Sequence, residues 1–105
     1  MKTITVEELK QRMDAGGTVR LVDVREPFEN ADFNIGGVLL PLGMIRGMQI
    51  DEIEEWKEEE VILYCRSGNR SGQAAMILED MGFQNTSNLV GGMLAWEGKF
   101  GRNRT

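Results

Sequence analysis

The sequence predicts an α/β fold, a central parallel sheet of about five strands flanked by helices on both faces. Short apolar runs alternate with segments of helical spacing, and the connections between the runs are too long for hairpins. The run 61–64, Val-Ile-Leu-Tyr, is apolar throughout and bounded by charge, as a central strand covered on both faces must be. With 105 residues, 41% of them hydrophobic, the chain holds enough apolar material for one ordinary core. Residues 1–105 are therefore expected to form a single domain, with 100–105 as a flexible polar tail.

Each element follows from local pattern. Thr3 and Ile4 suit a short first strand, and Thr5-Val6-Glu7-Glu8 has the spacing of a capping box that opens a helix with Val6, Leu9 and Met13 on one face. Gly16 and Gly17 stop it. The run 19–24 reads as a largely buried strand with its one acid, Asp23, near the C-terminal end, and Arg25-Glu26-Pro27 ends it. Val38-Leu39-Leu40, between Gly36-Gly37 and Pro41, suits a third strand. In 48–60, Ile50, Ile53 and Trp56 recur every three residues while seven acids cover the other side, which predicts a helix with a solvated acidic face. After the strand 61–64 comes a turn-rich loop, then a helix over 71–81 with Ala75, Leu78 and Met81 inward and Gly82 as its stop. A last strand around 86–90 leads through Gly91-Gly92 into a short helix over 93–97. Trp56 and Trp96 fall at apolar helical positions and are expected in the core.

Composition excludes much. A net charge of −5, with basic residues scattered among 17 acids, argues against a nucleic-acid partner. No apolar run approaches a membrane span and none follows Met1-Lys2, so neither a membrane association nor a secretory signal is expected, and a cytoplasmic location is. Cys65 is the only cysteine and there is no histidine. That removes an intramolecular disulfide, a Cys/His metal site, a Cys-His dyad and a Ser-His-Asp triad, and no metal or other cofactor is expected.

One constellation carries chemistry: Cys65-Arg66-Ser67-Gly68-Asn69-Arg70-Ser71, between a buried strand and the first turn of a helix. Such a loop turns successive backbone N–H groups inward, and the helix N-terminus adds partial positive charge, making an anion cradle. The same field stabilises a thiolate, to which Arg66 and Arg70 can add, so nucleophilic sulfur chemistry needs no histidine. A lone cysteine is more often a small buried hydrophobe. The arginines, glycine and small polar residues that follow Cys65 favour the functional reading.

Three stretches together resemble the rhodanese-like family in its single-domain form: Asp23-Val24-Arg25-Glu26-Pro27, the loop from Cys65 to Ser71, and Asn88-Leu89-Val90-Gly91-Gly92-Met93-Leu94-Ala95-Trp96. The resemblance implies a five-stranded parallel sheet and a sulfurtransferase in which Cys65 takes sulfane sulfur from a small anionic donor such as thiosulfate. The resulting persulfide is discharged to cyanide, a thiol, or an acceptor protein such as a thioredoxin-like one. It further implies that the amides of 66–71 hold the persulfide, that Arg66 or Arg70 orients the donor, and that Asp23 and Arg25 support the loop. Where the family often has G-H-I-P-G-A, this chain reads Phe33-Asn34-Ile35-Gly36-Gly37-Val38, and the run to Pro41 is one residue shorter. Two alternatives stay open. One is a sulfur-relay or binding module with a protein partner. The other is a phosphatase or arsenate reductase, disfavoured because four residues separate Cys65 from Arg70 where the resembling phosphatase loops have five.

Overall fold

The computed structural model describes residues 1–102. Five strands, β1 (Lys2–Ile4), β2 (Leu21–Asp23), β3 (Val38–Leu39), β4 (Glu60–Tyr64) and β5 (Asn85–Leu89), form one sheet in the order β1-β5-β4-β2-β3, and every neighbouring pair is parallel. The expected five-stranded parallel sheet is present, and 61–64 lies in its central strand. Five helices accompany it: α1 (Val6–Asp14), α2 (Pro27–Asp32), α3 (Leu42–Arg46), α4 (Asn69–Asp80) and α5 (Gly92–Phe100). No helix among the described residues is long and apolar enough to cross a membrane.

Alternation along β4 divides the core into two layers. Val61, Leu63 and Cys65 pack with Ile45 of α3 and Ala74, Ala75 and Leu78 of α4. Ile62 and Tyr64 point to the opposite face, among Leu9 of α1 and Met93 and Trp96 of α5. Because both faces are covered, all four of Val61, Ile62, Leu63 and Tyr64 are fully buried, which is why the run carries no charged residue, and the one hydroxyl, of Tyr64, donates to the Gly36 carbonyl at 2.8 Å. Trp96 lies buried, edge-on to Phe100 with ring centroids 4.9 Å apart, and Trp56 packs half-buried on the other layer.

The start of α1 obeys the capping expectation, while α4 and α5 begin at Asn69 and Gly92, ahead of the expected 71 and 93. The Thr5 side chain accepts from the Glu8 amide and the Glu8 carboxylate accepts from the Thr5 amide, each bond replacing a helical partner the first turn lacks. Elsewhere the pattern misled. The expected helix over 48–60 is a 3-10 helix spanning only Asp51–Trp56, preceded by the short α3 and a turn at Met48 with φ 62°. Ile50, Ile53 and Trp56 recur at a period of three, which is the 3-10 repeat and not the α repeat. α2 and α3 were not expected. Neither carries an apolar stripe long enough to read, and α2 has no buried residue at all. Of the expected tail 100–105, Phe100 closes α5 and Arg102 pairs with Glu97 and Asp32, while 103–105 lies outside the described residues.

Leu63 of β4 is fully buried in one layer of the two-layer core. Leu63→Ala is expected to cost about 2–5 kcal/mol in urea unfolding, by lost transfer energy and the cavity left behind. Met76→Ala, at a position 62% exposed on α4, is expected to change stability by less than about 0.5 kcal/mol.

Candidate active site

β4 delivers Cys65 to the carboxyl end of the sheet, where open parallel sheets place their ligands. Residues 65–68 then turn into α4. Gly68 sits at φ 101°, a left-handed conformation that a side chain would strain, and the turn aims its amide at the Cys65 sulfur, N to Sγ 3.1 Å. The Ser71 amide approaches the same sulfur at 3.4 Å and the Ser71 hydroxyl at 3.3 Å. Burial of Cys65 pushes its thiol up. The hydrogen bonds from the Ser71 hydroxyl and amide and from the Gly68 and Ser67 amides outweigh it, and the thiol lies below its ordinary value.

α5 holds the loop from its other side. The Met93 amide donates to the Cys65 carbonyl and the Leu94 amide to the Arg66 carbonyl, both at 2.9 Å. In a trans peptide the carbonyl and the next amide point opposite ways, so anchoring these two carbonyls on α5 turns the Arg66 and Ser67 amides away from it. Gly92 permits the approach: a Cβ there would overlap the Cys65 carbonyl oxygen. Asn88, near the end of β5, reaches the loop from the adjacent strand.

Asp23 and Arg25 form a closed network at the end of β2. The Arg25 guanidinium grips the Asp23 carboxylate through two bonds of 2.9 and 2.8 Å, and Asn30 of α2 donates to the same carboxylate at 2.9 Å. Arg25 also donates to the Phe33 carbonyl at 2.8 Å and lies over the Tyr64 ring, 5.6 Å from its centroid. Asp23 and Arg25 are both buried, and the pair fastens the α2 segment to the sheet. Asn34, the departure noted in the sequence, bonds within its own segment, donating to the Asn30 carbonyl and accepting from the Gly36 amide.

The two loop arginines differ. Arg70 makes a two-bond pair with Glu29 of α2 at 2.7 and 2.9 Å. That pairing holds the Glu29 carboxyl down at about 2, so its stabilising contribution is full above the ordinary carboxylate range and is lost as pH falls toward 2. Arg66 instead lines an open cleft of about 460 Å³ with Arg25, Phe28, Phe33, Leu94 and Arg102. Arg25 is paired with Asp23, and Arg102 with Glu97 and Asp32, which leaves Arg66 as the cleft arginine without a carboxylate partner among the described residues. Ser67 and Asn69 are exposed, and the Asn69 side chain accepts from Gln73 of its own helix at 3.5 Å.

Glu29 and Asn30 were not read from the sequence. The usable signal was Glu26-Pro27-Phe28-Glu29, with proline at the first helical position and the Glu29 carboxylate accepting from the Glu26 amide at 3.0 Å.

Known proteins share this fold. The family model described as Rhodanese-like domain matches residues 5–99. A protein named "Sulfurtransferase" from Allochromatium vinosum is 42% identical over 94 residues, covering 89% of this chain and 85% of that one. The "Putative sulfur carrier protein YrkF" of Bacillus subtilis is 36% identical over 97 residues, and this chain, matched over 91% of its length, spans about half (51%) of that protein. Among solved structures, a rhodanese-like domain protein from Staphylococcus aureus superposes with a TM-score of 0.81 at 34% identity, covering 91% of each chain. With the family model spanning nearly the whole chain and the five-stranded sheet carrying its cysteine loop at the carboxyl edge, this chain belongs to the rhodanese-like domain family.

Proposed function

We propose that this protein is a sulfurtransferase in which Cys65 carries sulfur as a persulfide. The observation that carries the reading is the convergence of the Gly68 amide, the Ser71 amide and the Ser71 hydroxyl on one buried sulfur whose thiol is held low. Such donors stabilise the thiolate that attacks, and equally the terminal anion of a persulfide. The Cys65 thiolate attacks the sulfane sulfur of a donor such as thiosulfate. The new S–S bond forms as the old one breaks, and its electron pair leaves with sulfite. A thiophilic acceptor, cyanide or a thiol, then takes the terminal sulfur and returns the thiolate. Because the intermediate is covalent, initial rates follow ping-pong kinetics. The relatives named for sulfur transfer and sulfur carriage support this chemistry, and the second supports a protein acceptor beside small thiols.

For the anionic donor we assign Arg66 over Arg70. An arginine already satisfied by a carboxylate offers little charge to a passing anion; Arg70 is so satisfied, and Arg66 has no carboxylate partner among the described residues. Asp23 and Arg25 act at one remove, by holding α2 and thereby the Glu29 partner of Arg70.

Two measurements test these roles. Cys65→Ser is expected to abolish thiocyanate formation from thiosulfate and cyanide and to leave the circular dichroism spectrum intact; undiminished turnover would remove Cys65 from the mechanism. Arg66→Ala is expected to raise the thiosulfate KM about tenfold with kcat little changed, the pattern of lost ground-state binding. Arg70→Ala is expected to leave that KM within about twofold and to lower thermal stability by releasing Glu29. The reverse ranking of the two KM values would return the donor site to Arg70.

A further inference from the structure

Asn88 lies near the end of β5, is only half-buried, and touches no part of the cleft described above. Its side chain nevertheless makes two bonds to the cysteine loop. Nδ2 donates to the Gly68 carbonyl at 3.0 Å, and Oδ1 meets the Ser71 hydroxyl at 2.5 Å. The space for it is built in: a Cβ on Gly72, one turn into α4, would stand 3.3 Å from Nδ2. The orientation of the amide follows from the first bond, since a carbonyl accepts only from the nitrogen side, and the oxygen therefore faces Ser71.

We propose that Asn88 is the positioning residue of the cysteine loop, fixing the Gly68 carbonyl and the Ser71 hydroxyl through one amide and so setting which donors face the Cys65 sulfur. The proposal rests on Cys65 being the reacting nucleophile. Ser71 is fully buried and its hydroxyl has one hydrogen for two acceptors, Asn88 Oδ1 and Cys65 Sγ. With a thiol present, the S–H donates to Ser71 and Ser71 donates to Asn88. When the sulfur ionises, the same hydroxyl rotates to donate to it. Asn88 holds the oxygen where both arrangements are one rotation apart.

Removing Asn88 has two opposed consequences. It frees the Ser71 hydrogen for the sulfur, and it releases the Gly68 peptide and Ser71 from their anchor. Of the four donors that lower the Cys65 thiol, three are backbone amides, of Ser71, Gly68 and Ser67, whose aim depends on loop shape, so loss of shape dominates. The charged groups on the elements around the loop are untouched by the substitution: Arg66 and Arg70, Glu29 of α2, Asp23 of β2 and Arg25 just after it, Arg46 of α3 and Glu97 of α5.

The test is the pH dependence of Cys65 alkylation by iodoacetamide in the full chain, with thiolate ultraviolet absorbance as a second readout. Asn88→Ala is expected to move the midpoint upward by about one pH unit, so that alkylation below the midpoint slows about tenfold. Asn88→Thr, which favours a strand but cannot span both partners, is expected to do the same with β5 intact. A folded Asn88→Thr variant with the wild-type midpoint overturns the proposal, whatever its thermal stability. Alkylation needs no sulfur donor. A shifted midpoint in a protein that gains sulfur neither from thiosulfate nor from another sulfane-sulfur donor would therefore retain the role of Asn88 and reject the sulfurtransferase reading.

Discussion

Everything at this site depends on where two carbonyl groups go. By accepting from the Met93 and Leu94 amides of α5, the Cys65 and Arg66 carbonyls face away from the sulfur, which meets the N–H groups and the Ser71 hydroxyl instead. An inward carbonyl would set a negative dipole against a sulfur anion. The arrangement needs α5 to begin in contact with the backbone after β4, and only a residue without a side chain allows that at position 92. The Gly91-Gly92 pair, which reads in sequence as a bland turn, is thus as much a part of the cysteine site as the loop itself.

Part of this was legible in the residues. β2, β3 and β4 could be read from their apolar runs, β1 and β5 from their place before a helix, and β4 could be assigned to the centre because none of 61–64 is charged. The position of Cys65 between strand and helix was visible for the same reason. What could not be read was tertiary in origin. α2 buries nothing and so shows no periodicity, yet it supplies Glu29 and Asn30, the partners of Arg70 and Asp23. The different fates of Arg66 and Arg70, alike in sequence, are decided by that unseen helix. The segment 48–60 failed for a subtler reason, a three-residue repeat that fits 3-10 geometry as well as the edge of an α-helical stripe.

The electrostatics are local. The chain as a whole is acidic, but the acids that pair with the arginines around the cleft and loop, Asp23, Glu29, Asp32 and Glu97, are already bound. On the proposed reading, an incoming anion would meet Arg66 and the inward amides, with the cleft's carboxylates Glu29, Asp32 and Glu97 already paired to arginines. Net charge governs solubility and long-range approach, and it says little about a site a few ångströms across.

The burial of Cys65, together with its being the chain's only cysteine, carries a consequence for how long a loaded sulfur would stay. Many thiol proteins unload through a second, resolving cysteine that closes an internal bridge within the same molecule. No such exit exists in this sequence. A persulfide formed here would wait for an outside molecule to come and collect it, and its lifetime would be set by the abundance of that visitor. The protein would then work as a reservoir as much as a catalyst, its charged fraction reporting how scarce acceptors are at the moment.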